Sequence, residues 1–184
     1  MIEYVNQLGS GAPRIGPPPT GTDASVWSLD TAADTVGGYR VEEADAVLDA
    51  GEREKAARLL PGHRHRYLAA HLGLRVLLGA RLGLDPREVA LVREDCPCCG
   101  GPHGRPAVAG GGVHFSLSHS GDLAYFAVAD VLESLHPVES AELTALPAPE
   151  GYAAALAVAD HHDQGQHQHQ HQGHDQEEEQ ENQT

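Results

Sequence analysis

Through the middle of the chain, Tyr67, Leu68, His71, Leu74, Leu78 and Leu82 recur at spacings of three and four, which predicts one face of a helix. Pro61-Gly62 separates it from a preceding segment, Val41 to Leu60, read as a second helix with Val47, Leu48 and Leu59 inward. Four runs have strand character. Val26 to Leu29 and Val89 to Val92 are short and β-prone, Val113 to Ser118 alternates apolar and polar residues, and Leu123 to Ala129 is a longer apolar run. The last two flank Ser120-Gly121-Asp122, which predicts a hairpin. After Val131 the pattern is helical, interrupted by Pro137 and ended by Pro147. Tyr152 to Ala159 fits a helix by its alanines and a buried strand by its length and its flanking Pro149 and Gly151.

The two ends read differently from the middle. Residues 1–22, with the Gly/Pro-rich stretch Gly9 to Thr22, are expected to form a flexible extension, because almost no large apolar residue offsets the ordering entropy. From Asp160 to Thr184 there are seven acids, six histidines, many glutamines and no Lys or Arg, the composition of a disordered acidic tail. The folding unit is therefore placed at residues 23–159.

Composition narrows the classes. The chain of 184 residues has 12 Lys plus Arg against 27 Asp plus Glu, a net charge of -15, which argues against nucleic acid and anionic membrane surfaces as partners. No apolar run reaches membrane-spanning length and Met1 to Leu8 has no signal-peptide pattern, so a cytoplasmic protein is expected. Yet seven of the twelve basic residues, Arg53, Lys55, Arg58, Arg64, Arg66, Arg75 and Arg81, fall between residues 53 and 81 beside a single acid, Glu54. With the helical periodicity they would occupy a restricted surface, which a basic face pairing with the acids of neighbouring elements would also explain.

Three places carry candidate chemistry. Ser116-Leu117-Ser118-His119-Ser120, expected in the turn after a strand, groups hydroxyls, an imidazole and turn amides that can hold phosphate oxygens; a serine-rich turn with a surface histidine has the same letters. Gly104-Arg105-Pro106 presents one guanidinium from a backbone turn. Cys96-x-x-Cys99, with Cys98 and His103 nearby, offers three or four zinc ligands without the second cysteine pair of a usual knuckle, and three cysteines build no disulfide framework. The tail histidines can also chelate divalent metal.

In order along the chain, Arg53-Glu54-Lys55, Arg64-His65-Arg66, Leu72 to Leu84, Gly104-Arg105-Pro106 and Phe115-Ser116-Leu117-Ser118-His119-Ser120 resemble 4'-phosphopantetheinyl transferases of the surfactin-synthetase-activating type. The likeness covers about Val26 to Ala129. The family's G-K-P and F-N/S-x-S-H-S are matched with Arg105 in place of lysine. The resemblance implies an α/β (α+β) fold, a pseudo-dimer of two similar halves, here with a truncated second half. It implies transfer of the 4'-phosphopantetheine arm of coenzyme A to a serine of an acyl or peptidyl carrier protein. By carry-over, Lys55 and Arg66 would contact coenzyme A phosphates, Arg105 the ribose or 3'-phosphate region, and Ser118 with His119 the phosphates near the scissile bond.

Two family motifs are altered. The strand bearing G-V/I-D-V/I-E, whose acids hold Mg2+, has no direct counterpart, and Asp130-Val131-Leu132-Glu133 sets its acids one residue too far apart. Asp130 and Glu133 are the candidate metal ligands: on a strand they would face opposite ways, and on a helix they would share a side, where a capping box accounts for both acids and is the favoured reading. W-x-x-K-E is missing, since Trp27 is the single Trp and Lys55 the single Lys. Weak or no transfer is therefore expected. A coenzyme A or carrier-protein binding module without catalysis, and a metal-binding protein working through its tail, are the alternatives.

Overall fold

The computed structural model describes residues 5–15, 24–96, 98–129, 141–150 and 154–159. Strand β1 (Asn6–Gln7) precedes β2 (Ala24–Asp30), the small hairpin β3 (Thr35–Val36) and β4 (Tyr39–Arg40), and a 3-10 turn at Val41–Ala46. Helices α1 (Ala50–Ala57) and α2 (Pro61–Leu82) follow, then a 3-10 turn at Pro86–Glu88. The rest is β: β5 (Leu91–Arg93), β6 (Pro106–Val108), β7 (His114–Ser120), β8 (Leu123–Ala129), β9 (Ala141–Leu146) and β10 (Ala154–Ala159). The fold is thus mixed α and β, with several sheets and few helices. Among the described residues no helix is long and apolar enough to cross a membrane.

The main sheet has the order β1-β2-β8-β7, with β1 parallel to β2 and the other pairs antiparallel. The β7–β8 hairpin turns at Gly121-Asp122, where Gly121 has a φ of 56°. Residues opposite one another share a face, so Trp27, Leu29, Ala124, Phe126, Val128, Phe115 and Leu117 form one apolar side. Helix α2 crosses that side at Gly73. A methyl group there would lie 3.0 Å from Leu29 and 3.1 Å from both Leu8 and Phe126. The glycine therefore sets how closely helix and sheet approach, and Leu72, Leu77, Leu78 and Phe126 are fully buried around the crossing.

Three expectations change and one open alternative is settled. Val41 to Leu60 is not one helix: a 3-10 turn ends at Ala46 and α1 starts anew, because Asp49 caps it with a reciprocal Asp49–Glu52 capping box. Residues 141–146 are a strand rather than the end of a helix, since their backbone pairs in register with β10, Ala141 opposite Ala159 and Leu146 opposite Ala154. That pairing also makes 154–159 a strand. Finally, the packed part reaches back before residue 23: Leu8 is 2% exposed in the core, and the carbonyls of Gly9 and Ser10 accept the amides of Gly37 and Gly38. The tail lies outside the described residues.

Candidate functional site

The five residues that the resemblance gives to coenzyme A fall into four places. Arg66, on the first half of α2, reaches the β7–β8 turn and donates from Nε to Oδ1 of Asp122 at 2.5 Å. Both side chains are partly exposed. Beside them His65 Nε2 lies 3.2 Å from the carbonyl of Ala33, and the amide of Thr31 donates to the carbonyl of Asp122. The N-terminal half of α2, the loop after β2 and the hairpin turn thus meet.

Arg105 stands at the start of β6. Its guanidinium donates to both carboxylate oxygens of Glu94, Nε to Oε2 at 2.5 Å and Nη2 to Oε1 at 3.0 Å, and Nη2 lies 3.3 Å from His114 Nδ1. The hydrogen bonds from Arg105 hold the Glu94 carboxyl below the usual carboxylate range, and Glu94 raises the arginine in turn. Gly104 before it has no room for a side chain: a methyl group would sit 2.3 Å from the carbonyl oxygen of Glu94, which the Gly104 amide meets as a donor at 2.9 Å. That close approach is why the position is glycine.

Ser118 and His119 lie within β7 and not in a turn, which corrects the expectation for Ser116 to Ser120. Ser118 pairs with Tyr125 and His119 with Ala124, so the two side chains leave the sheet on opposite faces, both exposed. They do not converge on one atom. His114 opens β7 and Ser120 closes it, about 20 Å apart at roughly 3.4 Å per residue. Arg105 at one end and Arg66 at the other therefore flank an edge strand rather than share a pocket.

Lys55 is apart from all of these. It extends over the ring of Tyr67, 5.3 Å from the centroid, and Tyr67 stacks on His71 at 4.0 Å. Behind this stack lies a buried polar cluster. Glu52 accepts from the Asp49 amide at 2.9 Å and from Arg75 Nε at 2.8 Å, and pairs with His71 Nδ1 at 2.8 Å. Arg75 also donates to Asp49 Oδ2 at 2.9 Å and to the carbonyl of Val89 at 2.7 Å. Arg75 is 1% exposed, so it leaves the basic surface that its helix position had suggested. Burial raises the Glu52 pKa, but the hydrogen bond to His71, the Asp49 amide and the charge of Arg75 outweigh it and hold the carboxyl below its ordinary value. Burial, with Glu52 and Asp49 nearby, pushes the Tyr67 phenol up to about 12. The signal for this cluster was an arginine inside the apolar run Leu72 to Leu78, which a polar surface face does not contain.

The loop between β5 and β6 holds the cysteines. Cys96, Cys98 and Cys99 are free thiols, and the Sγ atoms of Cys96 and Cys99 and a ring nitrogen of His103 all lie within 4.8 Å of one another. Amides of Cys98 and Cys99 donate to the Cys96 sulfur and lower its pKa.

Asp130 and Glu133 lie outside the described residues. Among the described residues Cys96, Cys99 and His103 are the one group of three or more potential ligands that converges, and thiolates do not suit Mg2+. Comparison with known proteins gave no matching family model, no matching curated protein and no matching solved structure.

Proposed function

We propose that this chain binds coenzyme A along β7 in the manner of a 4'-phosphopantetheinyl transferase, with an acyl or peptidyl carrier protein as the partner. The observation that supports this reading is that two partly exposed guanidinium groups stand at the two ends of one edge strand bearing Ser118 and His119. Coenzyme A is long and carries phosphates at separated points, so an extended strip with a cation at each end suits it better than a compact pocket. In the free chain each guanidinium is neutralised by its own carboxylate, Asp122 or Glu94. Exposed pairs of this kind are worth about 0–1 kcal/mol, so phosphate oxygens can take the carboxylate's place at small cost. Lys55, committed to the Tyr67 ring, contributes positive potential from further away.

The reaction of this class joins the carrier serine Oγ to the pantetheine-bearing phosphorus while the bond to 3',5'-adenosine bisphosphate breaks. This chain contributes the charges that hold the leaving nucleotide; no residue of it is assigned as the base. Loss of W-x-x-K-E supports a second reading, coenzyme A binding without transfer. On the pseudo-dimer reading, the β9–β10 hairpin is the remnant of a shortened second half. Titration calorimetry with coenzyme A should show saturable binding, weakened by about 1.5–3 kcal/mol in Arg66→Ala and in Arg105→Ala. Absence of saturable binding, or wild-type affinity in both variants, overturns the proposal. Mass spectrometry of apo carrier proteins incubated with coenzyme A and Mg2+ separates the two readings. Transfer is expected at least about 100-fold below an intact family member, the usual effect of losing one well-placed electrostatic stabiliser.

A further inference from the structure

We propose that Cys96, Cys99 and His103 bind one zinc ion, which closes the loop joining β5 to β6. The loop is built as a turn on a two-stranded ribbon. Leu91, Val92 and Arg93 pair with Val108, Ala107 and Pro106, and the ladder continues through the Glu94 amide to the Arg105 carbonyl and the Gly104 amide to the Glu94 carbonyl. Beyond it the chain folds back tightly. The Gly100 amide donates to the Cys96 carbonyl, and the amides of Cys96 and His103 both donate to the Gly101 carbonyl, each at 2.8 Å. Gly100 takes a φ of 68°, the left-handed conformation that lets the chain turn directly after Cys99.

These turns aim three side chains at one point. Cys99 Sγ and His103 Nε2 are 3.0 Å apart, and all three ligand atoms lie within 4.8 Å of one another. Tetrahedral zinc, with bonds near 2.3 Å to sulfur and 2.0–2.1 Å to nitrogen, separates its ligand atoms by about 3.5–3.8 Å. The side chains therefore need shifts of about 1 Å or less, within reach of rotations about their own bonds. A side chain at Gly101 would crowd the same point, its first carbon 3.2 Å from His103 Nε2 and 3.4 Å from Cys99 Sγ. Two thiolates and an imidazole select a borderline-soft ion over the oxygen-seeking Mg2+ or Ca2+. Cys98 falls outside the converging set, so the fourth position belongs to solvent or an exchangeable ligand. Such an ion ties residue 96 to residue 103, at the root of the Glu94–Arg105 pair, and orders a loop none of whose described residues belongs to the hydrophobic core.

The test uses the full chain, kept reduced, with His161, His162, His167, His169, His171 and His174 replaced by Gln so that the tail does not compete. Titration with Co2+ should give thiolate-to-cobalt charge-transfer absorption that saturates at about one ion per chain and is displaced by Zn2+. Cys96→Ser and Cys99→Ser should each weaken binding at least about 100-fold and His103→Gln about 10-fold or more, whereas Cys98→Ser should stay within about threefold. Independently of any cysteine variant, Zn2+ should slow hydrogen exchange of the amides of residues 94–105 by about 10-fold or more. No charge-transfer band, a band that survives in Cys96→Ser and Cys99→Ser, an equal loss in Cys98→Ser, or unchanged exchange in the loop would each overturn the assignment.

Discussion

Arg75 and Arg105 each meet a glutamate through the same kind of fork, yet the first is 1% exposed and the second has a side chain 35% exposed. The buried arginine has every side of its guanidinium filled by protein acceptors, Glu52, Asp49 and the Val89 carbonyl, drawn from α1 and from the approach to β5. The exposed one has a single carboxylate and the Nδ1 atom of His114. Burial makes the first pair a structural fixture, because separating it strands a charge in a place water does not reach. Exposure makes the second exchangeable, because water and anions compete for it at all times. Identical residue types are thus locked in place in one region and open to exchange in the other.

Arg75→Ala leaves Glu52 without its buried guanidinium partner. It should destabilise the protein by about 3–5 kcal/mol in urea denaturation, while Arg105→Ala stays within about 1 kcal/mol of the parent. Equal effects would mean that burial does not separate the two pairs. Acid provides the next test. Since the folded-state pKa of Glu52 lies below its unfolded value, its contribution is fully present above the unfolded pKa and is lost as pH falls through the folded one. Stability measured against pH should therefore decline below about 4.5, and the decline should be shallower in Glu52→Gln. Glu94→Gln sharpens the other side. Freeing the Arg105 guanidinium should tighten coenzyme A binding about two- to fivefold in calorimetry, the worth of one exposed pair, with little change in stability. The smallest effect is expected for Lys55→Gln, about 0.5–1 kcal/mol of stability from the lost contact with the Tyr67 ring.

Local pattern was enough for α2, whose apolar spacing runs unbroken from Tyr67 to Leu82, and for the β7–β8 hairpin, whose two strands lie next to each other in the chain. Features decided by distant partners were not legible. Ala141 to Leu146 has helix-forming residues and becomes a strand through β10; Leu8 sits in a polar, glycine-bearing stretch and is buried through β2 and α2. In the candidate site, the motifs at Arg105 and at Ser118-His119 were visible as letters. Strand alternation then separated Ser118 from His119, and Arg75 left the surface because Asp49 and Glu52 receive it from another helix. The chemistry of Cys96, Cys99 and His103 was readable as composition, but only the fold of the loop brings the three together.

The pairing of β2 with β8 carries a further consequence. Ala24 lies opposite Ala129 and Asp30 opposite Leu123, so the sheet's two central strands are separated by residues 31–122. A growing chain therefore emerges with Val26, Trp27 and Leu29 already made and their main antiparallel neighbour still to be synthesised. Closing a loop of that size must precede any gain from the contact, which places this sheet among the slower, non-local folders. Helix α2, complete long before β8, is the element against which that early strand can wait.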